Sequence, residues 1–320
     1  MKKIDCSAFN NVKFGKNVTI EADVCKIFPG SVIEDNVIIN ARKIVIGYDS
    51  VIQKGTIARG LREEMKLFEI GDNAFIGFSN QVLVPVFIMK DYSQLHNSGL
   101  HSGYKPLTIG FNCWIGQQSI LNSTETLTIG NNVRIGTHSQ LWTHVASGEL
   151  LEGCTLFGEL PLNIMDNVWI VGGAVISPGL TVERNSIIMT GSVLTKNTEP
   201  FHTYAGIPAK DITGKLSCWK KVTGKDKINM MKIFINEFLS VFPKYKKNVL
   251  LKTDTCMGTE KTNEDKIMIG YNIAGMGKLK KNRISYFDME SKLYTKKRTA
   301  IEIDFIKFNL GYRARFIPCR

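Results

Sequence analysis

Five histidines are the residues of this chain best suited to moving a proton near neutral pH: His96, His101, His138, His144 and His202. An imidazole titrates close to working pH, so it can take a proton from a hydroxyl or an amine and give it up again within one turnover. Carboxylates that could orient such a ring follow His144, at Glu149, Glu152 and Glu159, and a backbone carbonyl would serve equally. His96 and His101 have four residues between them, a spacing that a zinc site can use, although such a site needs three ligands. Aromatic side chains able to stack on a ring-shaped substrate stand beside the same histidines: Tyr92 and Tyr104 near His96 and His101, and Trp142 before His144. The 7 cysteines are odd in number and lack CxxC spacing, so they read as reduced thiols, Cys25 and Cys113 in small-residue positions.

Those residues must be held by something, and the chain repeats. Ile164, Ile170, Ile176, Val182, Ile188 and Leu194 recur every sixth position without a break. Four residues after successive anchors come Val168, Ala174, Leu180, Ser186 and Ser192, mostly small or β-branched. Neither a helix nor a single strand demands a spacing of six. A stacked solenoid does: each hexad forms a short strand and a corner, three hexads close one triangular coil, and each anchor stacks on its counterpart in the coil below.

The hexads, together with Asn167-Val168-Trp169-Ile170 and the closing Tyr204-Ala205-Gly206-Ile207-Pro208-Ala209-Lys210, resemble the bacterial hexapeptide-repeat acyltransferases. The resemblance covers roughly residues 10–212. It implies a mainly β fold, a left-handed parallel β-helix with protruding loops, and transfer of an acetyl or other acyl group from coenzyme A. The hand comes from the resemblance alone, since parallel crossovers ordinarily take the opposite one.

Earlier parts of the chain carry the repeat with slips. Phe14, Ile20, Ile33, Ile39, Ile46 and Ile52 begin it almost at residue 1, which sets the expectation that no separate N-terminal domain precedes it. Charged residues 59–69 read as a loop between coils. Ile70, Ile76 and Val82 resume the period, and residues 85–106 read as a long excursion carrying Asp91, Tyr92, His96, His101 and Tyr104. Ile109, Ile115, Leu121, Ile129, Ile135 and Leu141 follow, and the chain leaves the repeat again from Trp142 to Pro161.

From about Gly214 the hexad is gone. Residues 227–242 read as an amphipathic helix with Met231, Phe234, Phe238 and Val241 at helical spacing and Pro243 as the stop. Asp265–Tyr271 and Ile284–Met289 read as strands and Thr299–Leu310 as a second helix. Two domains follow: a β-helix over 1–212 and a small basic α+β domain over 213–320. The second holds about 24 lysines and arginines against about 10 carboxylates, so it carries the whole net charge of +12, the remainder being close to neutral. A basic unit of this kind suits an anionic polymer or the inner face of a membrane, or it is simply a solvated lysine-rich face. No nucleic-acid motif is present. The N-terminus lacks a signal-peptide run and no stretch is long enough to span a bilayer, so the expected location is cytoplasmic, peripheral to the inner membrane if the basic domain binds it.

The resemblance assigns roles. His144 stands where the chain departs from the coil, the place of the general base in similar enzymes, with His138 as runner-up. The oxyanion donor falls on the backbone N–H of Gly172, although Val171 replaces a common glycine. Coenzyme A would meet Trp169, Gly172 and Thr190 along its pantetheine, Met189 standing where glycine is common, and Lys196 and Lys210 at its phosphates. Tyr92, His96, Tyr104 and Trp142 are the candidates for acceptor binding. The implied reaction is direct transfer of acetyl from acetyl-CoA to a sugar hydroxyl of a surface polysaccharide or its precursor, by a homotrimer with sites between subunits and without a metal. N-acetylation of an amino sugar, a zinc enzyme on the same scaffold, and a non-catalytic platform are the alternatives.

Overall fold

The computed structural model describes residues 1–146, 148–252, 264–273 and 283–319, and the chain divides into two compact units, Met1–Trp219 and Lys220–Arg320.

The first unit is a parallel β-solenoid of three faces. On the first face Lys13–Phe14, Val32–Ile33, Val51–Ile52, Phe75–Ile76, Gln94–Leu95, Trp114–Ile115, Arg134–Ile135, Trp169–Ile170, Ile187–Ile188 and Thr203–Gly206 stack in order, and Ala209–Asp211 closes the stack antiparallel. The second face runs from Thr19–Ala22 through Ile57–Arg59, Gln81–Leu83, Leu100–Gly103, Ile120–Ser123 and Gln140–Leu141 to Val175–Ile176 and Val193–Leu194. The third includes Met65–Ile70, Val86–Met89, Leu107–Ile109, Leu127–Ile129, Leu162–Ile164 and Thr181–Val182.

Physics explains the repeat. Every anchor from Ile164 to Leu194 is at most 1% exposed, and so are Val168, Ala174, Ser186 and Ser192 in the second position. A corner leaves its carbonyl inside the coil, and a small hydroxyl can satisfy it: Ser31 donates to the Gly47 carbonyl at 2.7 Å, Ser50 to that of Gly71 at 2.7 Å and Ser93 to that of Gly110 at 2.6 Å. Cys113 occupies the same slot with its Sγ 3.0 Å from the Gly130 carbonyl, and burial pushes its thiol up to about 11. The corners also require positive φ, which Asn73, Asn112, Asn132, Asn167 and Asn185 supply between the third and first faces.

Two readings of the sequence are corrected. Residues 85–106 are not a loop but one full coil, with Val86–Met89, Gln94–Leu95 and Leu100–Gly103 each paired to the strands before and after. The apolar period misses this coil because a histidine fills an anchor slot: His101 stacks between Val82 and Leu121 in the interior. Of residues 59–69, only 60–64 leave the coil, and Met65–Ile70 is a strand of the third face. The departure at Trp142–Pro161 is real, an arm whose strands His144–Ala146 and Phe157–Glu159 pair antiparallel.

In the second unit, helix α1 (Gly224–Val241) starts earlier than the apolar spacing suggests because Thr223 and Asp226 form a capping box. Its buried face is Met231, Ile235 and Phe238, whereas Val241 is 59% exposed. The strands Val249–Leu251, Lys266–Gly270, Ile284–Asp288, Leu293–Tyr294 and Ile317–Pro318 form one sheet. Helix α2 (Ala300–Asn309) brings Phe305 edge-on to Phe238 and Phe287.

Candidate active site

His144 sits at the corner between the second and third faces, at the root of the arm. Its Nδ1 lies 3.0 Å from Oδ1 of Asn122, a residue of the strand one coil below. The identity of that oxygen is secured by its other partners, because the backbone N–H groups of Thr124 (3.2 Å) and Thr143 (3.4 Å) and the Thr143 hydroxyl (2.8 Å) all point at it. The amide's Nδ2 donates the other way, to the Ser102 carbonyl at 3.4 Å. An oxygen that accepts from main-chain N–H groups cannot be the amide nitrogen, so Nδ1 of His144 must carry the proton and donate. The Nε2 lone pair is then left as the basic site. Thr143 and Asn122 are 0% and 7% exposed, which fixes the geometry, and the Trp142 ring meets the imidazole edge-on at 5.7 Å.

The orienting group is therefore an amide side chain, neither one of the three carboxylates nor the backbone carbonyl that the sequence left open. Glu159 faces His144 across the arm by backbone register only, and Glu149 and Glu152 lie in the arm's exposed turn. Asn122 precedes His144 by 22 residues, and that separation is the signal that could have found it: in a solenoid the spatial neighbour is one coil back in sequence.

Gly172 lies in the corner between the first and second faces. Val171 N–H donates to the Ile188 carbonyl at 2.9 Å and Gly173 N–H to that of Thr137 at 2.8 Å; between them, the Gly172 N–H has no backbone acceptor among the described residues. Gly173 and Gly191 occupy the same corner in successive coils with φ of 58° and 68°, and no heavy atom lies closer than 4.0 Å to where their Cβ atoms would be. Thr190 is beside Gly191, and Trp169, 48% exposed, lies on the adjoining first face. This edge offers open backbone.

The structure thus brings Trp169, Gly172 and Thr190 to one edge of the second face, and Asn122, Trp142, His144 and Lys196 to the other. Trp142 N–H donates to the Ile176 carbonyl, so the histidine's corner lies five residues beyond Gly172, about 16 Å across the face at strand spacing. Lys210 is exposed in the terminal hairpin of the first face, paired in register with Ala205. His138 is an exposed corner residue with φ 59°, one coil before Gly173 and therefore on the edge opposite His144.

The other expected acceptor residues are dispersed. Tyr92 is 3% exposed and takes a corner position at φ 58°, where most coils use asparagine. His96 is packed between Phe75 (5.5 Å) and Trp114 (4.8 Å) on the outside of the first face, and burial lowers its pKa. His101 points inward from the second face, so these two histidines do not converge on one ion; its Nε2 lies 3.3 Å from Asn80 Oδ1, and burial pushes its pKa down to about 3. Among the described residues no group of three histidine, cysteine or carboxylate side chains could hold a metal. Tyr104 is 42% exposed at the same corner as His144, two coils below it. His202 Nδ1 lies 2.5 Å from Oδ2 of Asp211, a residue of the closing hairpin.

No family profile matches the chain. The galactoside O-acetyltransferase of Escherichia coli is 35% identical over 106 residues, 32% of this chain and 52% of that one. Nodulation protein L of Rhizobium meliloti is 33% identical over 109 residues, 32% of this chain and 59% of that one. Among solved structures, the polysialic acid O-acetyltransferase OatWY aligns over 67% of this chain and 92% of its own at 16% identity, with a TM-score of 0.44. The chain spans about half the length of the curated relatives it matches. Over about a third of its length the chain is thus similar to an O-acetyltransferase of a sugar, and its own hexads build a parallel β-solenoid.

Proposed function

We propose that the protein transfers an acetyl group from acetyl-CoA to a sugar hydroxyl of a surface polysaccharide or its precursor, with His144 as general base. The observation that carries the reading is the Nδ1–Asn122 contact, which makes Nε2 the basic atom of the neutral ring and holds it in place. Nε2 takes the acceptor's proton, the acceptor oxygen attacks the thioester carbonyl, the C–S bond breaks, and the proton passes from the imidazolium to the leaving thiolate. The Gly172 N–H supports the developing oxyanion. The bare backbone around Gly173 and Gly191 suits the two amides of pantetheine, and Lys196 and Lys210 suit the phosphates.

A complete site then takes two copies of the chain. The outward row of the second face supports this: Ile38, Ile57, Gln81, Leu100, Ile120, Gln140, Val175 and Val193 lie in register, a nearly apolar ribbon. Packing that ribbon about a threefold axis sets the histidine edge of one copy against the glycine edge of the next, which gives a homotrimer with three sites. Among the described residues no helix is long and apolar enough to cross a membrane. We place the enzyme in the cytoplasm, with the basic second unit holding an anionic polymer or the inner membrane face.

The test is calorimetric titration with acetyl-CoA, followed by thiol release in the presence of pooled bacterial glycans. Micromolar binding with glycan-stimulated release that is lost in His144→Ala is the expected result. Absence of binding to both acetyl-CoA and coenzyme A overturns it.

A further inference from the structure

Below the His144 corner the same edge carries a second set of ligand-like groups. Residues 60–64 leave the coil as a short excursion, and Gly60 makes the turn possible, since a Cβ there would stand 1.6 Å from the Glu63 carbonyl oxygen. The excursion places the Arg62 guanidinium 4.7 Å above the Tyr104 ring centre. Together with Leu61, Glu63, Pro85 and Gly103 they line a cavity of about 200 Å³, room for one sugar ring. Its chemistry is mixed in the way a sugar requires. Leu61, Pro85 and the part of the Tyr104 ring that Arg62 leaves uncovered offer apolar surface to the C–H face of a sugar, while Arg62 donates and Glu63 accepts hydrogen bonds at its hydroxyls. Among the described residues no carboxylate pairs with Arg62, whereas the nearby Arg42 is paired with Glu64 at 2.9 Å.

The register connects this cavity to the histidine. Arg59, Leu83, Ser102 and Asn122 are successive partners in one outward column, and the last of them holds His144. Tyr104 lies two coils below the coil of His144 and the Arg62 excursion four, about 10 and 19 Å at the spacing of hydrogen-bonded strands. Several linked sugar rings bridge such a span and one does not. We infer that the Arg62–Tyr104 cavity is a remote subsite for a sugar ring, so that the acceptor is an oligosaccharide lying along this edge with its reacting hydroxyl at His144. The inference rests on the acetyltransferase reading for the reacting end alone; the cavity binds sugar whether or not transfer occurs.

The experiment measures binding and transfer with three size-graded ladders, maltooligosaccharides, chitooligosaccharides and oligosialic acids, each from monosaccharide to hexasaccharide. Calorimetry on the full chain should show at least one ladder whose affinity rises on the order of tenfold from monomer to tetramer, and Arg62→Ala and Tyr104→Ala should each remove that gain. His144→Ala should keep it while abolishing transfer. Both mutated side chains are exposed, and unchanged thermal unfolding verifies the fold of each variant. Affinity independent of length in all three ladders, or a length gain that survives both variants, overturns the subsite. Loss of acetyl-CoA binding with the length gain intact would instead sink the transferase reading and leave the subsite standing.

Discussion

The two edges of the second face solve opposite problems. The His144 edge is built from side chains: one amide oxygen of Asn122 gathers two backbone N–H groups, a threonine hydroxyl and the imidazole, all in a nearly buried setting. The Gly172 edge is built by removing side chains, so that Gly173 and Gly191 leave backbone open to a ligand. A general base must be aimed, and aiming takes particular functional groups at particular distances. A ligand that hydrogen-bonds through amides needs only accessible main chain. Deleting an atom should therefore harm the first edge most, and adding one should harm the second.

The largest effect belongs to His144→Ala, expected to lower kcat by about a thousandfold with acetyl-CoA affinity unchanged; equal loss of affinity would place the histidine in binding instead. Asn122→Ala should cost about a hundredfold in kcat by freeing the ring. It also strands two backbone N–H groups, so unfolding must be followed in parallel. On the other edge, Gly191→Leu should raise the KM for acetyl-CoA about tenfold with little change in kcat. A fall in kcat with unchanged KM would break the division of labour between the edges.

A subtler change sharpens it. Asn122→Asp keeps the acceptor but adds a negative charge beside Nδ1–H. The charge favours the imidazolium, so the acidic limb of the kcat/KM profile should move up by about one pH unit; an unmoved limb would mean that some other group sets it. The last effect concerns stability and leaves the site itself untouched. His101 is held neutral inside the solenoid, its pKa pushed from 6.5 to about 3 by burial. The unfolded chain takes up a proton there below pH 6.5 and the folded chain does not, so stability is intact above 6.5 and falls as pH drops toward 3, by about 1.4 kcal/mol per unit. His101→Leu, which continues the Val82 and Leu121 stack, should flatten that part of the pH dependence in urea unfolding.

Much of the fold was legible because a solenoid writes its geometry into local spacing. Ile164 to Leu194 declared their burial by period alone, and the second-slot residues declared the tight corners. The reading failed where one anchor changed chemistry. His101 in place of an aliphatic residue made a full coil look like a loop, and that error put Tyr92 and His96 on an excursion, whereas Tyr92 is a buried corner and His96 packs between Phe75 and Trp114. In α1 the apolar spacing pointed to Val241, but the residues that are buried are Met231, Ile235 and Phe238, the last against Phe305 of α2.

By itself the sequence determined the repeat, the existence and position of the arm, and His144 as the histidine at its root, because periodicity and its interruption are local properties of the chain. Only the tertiary structure decided which group holds His144, which edge each candidate occupies, and that Arg62 meets Tyr104. Those facts depend on which coil stacks on which, and stacking joins residues about twenty positions apart through strand register, a relation that no single stretch of the chain contains.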